Sequence, residues 1–87
     1  MTDRSNEIRA AVRQYLLEEV IPGEDPSALG DSTELVSSGI LDSISTARLV
    51  TFLEQQFDVR FKASEITAAH LNSVDLIVGI VESKLPS

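Results

Sequence analysis

An aspartate followed by a serine, Asp42 and Ser43, is the pair of residues with the clearest chemical potential in this chain. Gly39 gives the backbone freedom to turn shortly before the pair, and a long run with helical character follows it. We therefore expect a helix to begin at Asp42 or Ser43. An aspartate in the capping position accepts hydrogen bonds from the free N–H groups of the first turn, here that of Ser45, and its charge suits the positive end of the helix dipole. Ser43 would then lie exposed at the first helical position, beside the loop.

The sequence around this pair resembles the acyl carrier protein family. That family has an Asp-Ser-Leu or Asp-Ser-Ile motif at the start of its second helix, and here the motif is Asp42-Ser43-Ile44. The likeness continues through L-V-x-F-L-E-x-x-F-D, from Leu49 to Asp58, and extends less tightly over nearly the whole chain. The resemblance implies that Ser43 carries 4′-phosphopantetheine through a phosphodiester. A helix N-terminus favours a phosphate, because the dipole and the unpaired N–H groups both point at it.

The resemblance also implies a function and a set of partners. A phosphopantetheinyl transferase would modify Ser43, and Asp42 would help it to engage its metal and coenzyme A. The terminal thiol of the arm would hold an acyl group as a thioester, loaded by an acyl- or aminoacyl-loading ligase and used by downstream transferase or condensing enzymes. We therefore expect a free-standing acyl carrier protein of lipid or specialised secondary metabolism, not an enzyme.

Two other functions remain open. The chain could be an aminoacyl or peptidyl carrier loaded by an adenylating ligase, or a non-carrier helical interaction module in which Ser43 is an unmodified cap. Peptidyl carriers usually have Gly-Gly-His-Ser before the arm, whereas this chain has the run from Gly39 to Ser43, which favours the acyl or free-standing aminoacyl type. Fatty-acid carriers have an acidic second helix. Here the positions where acidic residues are usual hold Arg48, Gln55 and Gln56 instead.

The distribution of charge indicates what kind of partner the chain can attract. The net charge is −7, and residues 21–42 alone hold five acidic residues and no basic one. This acidic loop precedes Ser43 directly. It disfavours nucleic acid as a partner and favours a basic protein surface, such as that of a transferase.

Other chemistry is not supported by the sequence. The chain has no cysteine, and it shows no catalytic triad, no glycine-rich phosphate loop and no cluster of metal ligands. The single histidine, His70, is interpreted as a loop or helix-end residue. No apolar run approaches the ~20 residues of a membrane span. We expect a monomeric cytoplasmic protein with no catalytic residue, no metal and no membrane span.

Hydrophobic periodicity predicts the elements that position the serine. Apolar residues at three- and four-residue steps indicate a first helix from about Ser5 to Val20, capped by Ser5 or Asn6. A second helix comes next over 42–57, then a short third helix over 64–69 with Ile66 facing inward, and a last helix capped by Asn72. The expected core arc of the second helix comprises Thr46, Leu49, Val50, Leu53 and Phe57.

These elements predict an all-α fold with a single domain over 1–87. Three long helices and one short one form a small four-helix bundle of acyl-carrier type, with a long loop between helices one and two. Leu29, Leu35, Val36 and Ile40 are expected to pin that loop onto the bundle. On the solvent side of the second helix we expect a partner-binding face, formed by Ile44, Ala47, Arg48, Thr51 and Gln55.

Overall fold

The computed structural model describes residues 3–85, and the part of the chain that it describes contains helices and no strand. The expected all-α bundle of three long helices and one short helix is confirmed. Helix α1 continues directly into a π-helical turn over Leu16–Val20, and a long loop leads from there to α2. The four helices are α1 (Asp3–Tyr15), α2 (Ser43–Phe57), α3 (Ala68–Leu71) and α4 (Val74–Lys84).

The core lies where the apolar stripes of the three long helices meet. Burial of such side chains stabilises the fold by roughly 1.5–3 kcal/mol each. Phe57, which was expected in the core, is half-buried and packs against its edge. Tyr15 at the end of α1 stacks on Phe52 of α2, with ring centroids 4.5 Å apart. The fully buried side chains of the three long helices and of the π-helical turn are Ile8, Val12, Leu16, Leu49, Leu53, Val74, Ile77 and Val81.

The start of the first helix differs from expectation. Ser5 or Asn6 was predicted as its cap, but α1 already includes Asp3, so both residues lie inside the helix. The Ser5 side chain is buried and donates a hydrogen bond to the carboxylate of Glu82 on α4. A tertiary contact between the two helices therefore uses a hydroxyl that the sequence pattern assigned to a cap.

The short third helix also begins in a different place. The predicted helix over 64–69 is wrong, since a 3-10 turn occupies Ala63–Glu65 and α3 begins only at Ala68, running over Ala68–Leu71. Glu65 stabilises the turn by accepting from the backbone N–H of Lys62 at 2.8 Å. Ile66 lies between the two pieces and is 37% exposed, so it does not face inward as predicted.

The cap of α4 is Ser73 and not Asn72. The Ser73 hydroxyl accepts from the backbone N–H of Leu76 at 3.1 Å, which is the geometry of a helix N-cap. Asn72 was predicted for this role because asparagine is an equally good cap. Its side chain instead reaches the loop before α2, where its Oδ1 accepts from two backbone N–H groups.

The long loop is held by apolar anchors and by an ion-pair cluster. Leu29 and Leu35 are buried in the core, and Val36 and Ile40 pack against it, as predicted. Asp31 pairs with Arg9 of α1 at 3.2 Å. Within residues 3–85, no helix is both long and apolar enough to cross a membrane.

Candidate attachment site at the start of α2

Asp42 caps the helix that presents Ser43. Its Oδ1 accepts from the backbone N–H of Ser45 at 2.7 Å, and its carbonyl accepts from the N–H of Thr46 at 2.9 Å. The hydrogen bond from the Ser45 N–H, and then the one from the Ser45 hydroxyl, lower the pKa of Asp42. A negative charge therefore stands at the positive end of α2, as the sequence predicted.

Ser43 occupies the first position of α2 and its side chain is exposed. Among the described residues its hydroxyl has no hydrogen-bond partner, whereas the loop serines Ser27 and Ser38 donate to the carboxylate of Asp25 and the carbonyl of Glu34. The neighbouring Ile44 is 66% exposed, so it does not pack under the loop. The site thus combines an accessible hydroxyl with a capped helix start, which suits a phosphodiester at this position.

The backbone before the serine turns sharply and is then anchored. Gly39 has φ +87°, a conformation that L side chains rarely adopt, while the space where its Cβ would lie is open. Glycine is therefore needed here for backbone conformation and not for packing. Leu41 is buried, and its N–H donates to the carbonyl of Leu35 at 2.8 Å. This bond closes the loop directly ahead of Asp42.

Asn72 is a loop anchor that sequence reasoning missed. Its Oδ1 accepts from the N–H groups of Val36 at 2.8 Å and Ser37 at 3.0 Å, and its carbonyl accepts from Leu35 at 2.8 Å. These contacts join residues about 36 positions apart, so no local pattern reveals them. The only available signal was that two good cap residues, Asn72 and Ser73, stand side by side where one suffices.

A groove of about 750 Å³ runs beside Ser43 between α2 and α3. Its floor is apolar and includes Leu41, Val50 and Leu71, all of which are buried. Its walls carry polar groups, the hydroxyls of threonines and two carboxylates. The polar residues that line it are Asp42, Ser43, Thr46, Thr51, Glu54 and Thr67.

The five residues predicted as a partner face lie on two sides of α2, and all five are exposed. Ala47 and Thr51 line the groove. Arg48 lies toward α1, where it and Glu19 act in opposite directions on the pKa of Tyr15, which burial raises. Ile44 and Gln55 are exposed without lining the groove.

Several acidic groups that could attract a basic partner are already engaged within the chain. Glu54 accepts from the backbone N–H of Phe61 at 2.9 Å, so the one acidic residue of α2 binds the connector that comes after the helix. In the acidic loop, Asp31 lies near Arg9 and Arg13, at 3.2 and 3.8 Å. The charge before Ser43 is therefore partly neutralised.

Comparison with known proteins identifies the family. Residues 7–80 match the family described as "Phosphopantetheine attachment site". A D-alanyl carrier protein of Leuconostoc citreum is 35% identical over 75 residues, which cover 84% of this chain and 95% of that protein. A D-alanyl carrier protein of Streptococcus sanguinis is 38% identical over 60 residues, covering 68% of this chain and 75% of that one. The chain therefore belongs to the family of phosphopantetheine-binding carrier proteins, which carry 4′-phosphopantetheine covalently.

Proposed function

We propose that Ser43 is the attachment residue for 4′-phosphopantetheine and that the chain presents an activated carboxylic acid on this arm. The observation that carries the proposal is the exposed Ser43 hydroxyl, free of hydrogen bonds to the described residues, on the first residue of a capped helix. When bound, the arm supplies a terminal thiol that holds the carboxylic acid as a thioester. The chain itself contributes position and recognition.

Each residue near the serine has a distinct part in this proposal. Asp42 fixes the helix start, so that the first-turn N–H groups and the helix dipole face the phosphate. Its exposed carboxylate is also available to the metal and coenzyme A that a phosphopantetheinyl transferase would bring. Ile44, next to Ser43, offers an apolar contact to that transferase and to a loading ligase.

For the cargo we propose a small aminoacyl group, with D-alanine as the first candidate, loaded by an adenylating ligase. The support comes from relatives that are named D-alanyl carrier proteins, one of which matches 84% of this chain. The polar walls of the groove agree with a short polar cargo, since a long alkyl chain would displace water from the polar side chains of Thr46, Thr51 and Glu54.

A second candidate is an acyl group of lipid or specialised secondary metabolism. The groove beside Ser43 favours it, because a volume of about 750 Å³ with an apolar floor is large enough for an alkyl chain. If that floor buried the chain, each methylene would add about 0.8 kcal/mol to the stability of the loaded protein. An alanyl group would add almost none.

The attachment is tested by incubating the protein with a broad phosphopantetheinyl transferase and coenzyme A, and then measuring its intact mass. The parent should gain one phosphopantetheinyl group, and Ser43→Ala should gain none while keeping its helix content, because Asp42 still caps α2. Ser37→Ala, at an exposed loop serine, is the matched control and should gain the arm like the parent. An unmodified parent, or a modified Ser43→Ala, would overturn the proposal.

The same transferase can install either cargo directly from alanyl- or octanoyl-coenzyme A. The aminoacyl proposal expects equal melting temperatures for the unloaded, alanyl and octanoyl forms, because the groove does not take up the chain. A melting temperature that rises only for the octanoyl form would favour the acyl candidate.

A further inference from the structure

Asn72, in the short connection between α3 and α4, contacts the loop that leads into Ser43. We propose that Asn72 is a positioning residue for the attachment serine: it holds the backbone of Leu35–Ser37 and thereby fixes the loop from which α2 begins. This inference rests on the proposed attachment at Ser43. It assigns a role to a side chain on another element of the fold, far from Ser43 in sequence.

Asn72 binds the loop through both its side-chain oxygen and its backbone carbonyl. The Oδ1 atom of Asn72 accepts from the N–H groups of Val36 and Ser37, at 2.8 and 3.0 Å, which uses both lone pairs of the amide oxygen. The backbone carbonyl of Asn72 accepts from Leu35 at 2.8 Å. Three successive N–H groups of the loop are therefore satisfied from a single residue on another element of the fold.

The held segment is connected to the serine by a short path. The carbonyl of Leu35 accepts from the N–H of Leu41 at 2.8 Å, and both leucine side chains are buried. Asp42 comes immediately after Leu41 and caps α2. A shift of Leu35 would therefore move Leu41 and, with it, the start of the helix that presents Ser43.

Between these points the loop's own hydrogen bonds are local: Gly39 donates to the carbonyl of Val36, and Ser38 donates to that of Glu34. Ser37, Ser38 and Gly39 are exposed, and glycine loses more conformational freedom on ordering than any other residue. Without the Asn72 oxygen, the N–H groups of Val36 and Ser37 would turn to water and the ordered loop would be less populated. A transferase that binds only the ordered form would then show an apparent affinity reduced by the populated fraction, with little change at saturation.

The test is the kinetics of arm transfer from coenzyme A by a phosphopantetheinyl transferase, with KM and kcat determined for the carrier. Asn72→Ala should raise KM about tenfold and leave kcat within about twofold of the parent, as expected when the ordered loop is less populated. Asn72→Asp should restore KM to within about threefold, because a carboxylate keeps the acceptor oxygens. Should Asn72→Ala not fold, Asn72→Ser also lacks an oxygen that reaches the loop and takes its place.

Ser73→Ala is the matched control, since it removes the neighbouring cap of α4 and leaves every oxygen of Asn72 in place. It should lower the melting temperature without raising KM. Amide hydrogen exchange gives an independent measure: the N–H groups of Val36 and Ser37 should exchange faster in Asn72→Ala and at parental rates in Ser73→Ala.

The inference on Asn72 would be overturned by an unchanged KM in Asn72→Ala, or by an equal rise in Ser73→Ala. In both cases the parent would still be modified at Ser43, so the proposed function would stand. A parent that never accepts the arm would overturn both.

Discussion

The starts of α2 and α4 are built in the same way but lie in opposite environments. Each has a cap residue in extended backbone, Asp42 or Ser73, whose side chain accepts from the N–H of the third helical residue, at 2.7 and 3.1 Å. In both, the carbonyl of the cap accepts the first intrahelical bond, at 2.9 and 3.0 Å. The local chemistry that begins the two helices is therefore nearly identical.

The two starts differ in the first residues after the cap. The first residue of α4 is Val74, which is fully buried, and a loop carbonyl from Asp31 covers the N–H of Asp75 at 3.0 Å. The first two residues of α2, Ser43 and Ile44, are exposed. A helix start that is sealed by the core serves stability, whereas one left open to solvent keeps its dipole and its hydroxyl available to another molecule.

The largest effect should come from the fourth helical position, where α4 has a large side chain in the core and α2 does not. Ile77 of α4 is fully buried, and Ile77→Ala should lower the free energy of unfolding by about 2–5 kcal/mol, as large-to-small core substitutions do. The equivalent residue of α2 is Thr46, which is only half-buried, so Thr46→Ala should cost under about 1 kcal/mol. Urea unfolding measures both. Similar losses at the two positions would show that the starts do not differ in their contribution to stability.

Many of the features of the fold that depend on local sequence were predicted correctly. The bounds of α2, its cap at Asp42 and the acceptance from Ser45 were predicted correctly, because capping depends on residues three positions apart and on apolar periodicity. The loop anchors Leu29 and Leu35 were also predicted, since large apolar side chains in a polar loop are stabilised by burial against the core.

The wrong predictions concern positions where local sequence allows two structures and a tertiary contact determines which one forms. Asn72 and Ser73 are both good caps, and the choice was decided by the N–H groups of Val36 and Ser37, which lie about 36 positions away. Ile66 was placed inward by helical periodicity, but the turn at Ala63–Glu65 interrupts the helix. The groove beside Ser43 could not be predicted, because it depends on how α3 is set against α2.

A smaller effect separates the two caps, because only one of them titrates. The pKa of Asp42 is lowered chiefly by the N–H of Ser45, so its charged form contributes stability above the unfolded pKa of about 3.9, and that contribution is lost as the pH falls through the lowered folded value. Asp42→Asn keeps a neutral cap, and its deficit in melting temperature should be present at pH 7 and vanish in strong acid.

Ser73 provides the comparison for that pH dependence. Ser73→Ala should cost about 1 kcal/mol, within the usual range for a lost cap, and its deficit should be the same at every pH at which the fold persists. Thermal unfolding from strong acid to neutral pH, with each variant compared with the parent, checks both expectations. A deficit of Asp42→Asn that does not change with pH would mean that charge plays no part at the start of α2.

The smallest effect on stability should belong to Ile44, at the second position of α2, although its effect on recognition should be clear. The side chain is 66% exposed, so Ile44→Ala should change the free energy of unfolding by less than about 0.5 kcal/mol. An apolar residue beside the attachment serine is suited to contact a partner, and truncating it should raise the carrier KM of a loading ligase with kcat retained.

Arg48→Ala is the control on the same helix, because Arg48 lies toward Tyr15 and α1 and away from the groove. If Arg48→Ala raises KM and Ile44→Ala does not, the partner approaches α2 from its α1 side, and the open start of the helix serves the attachment of the arm alone.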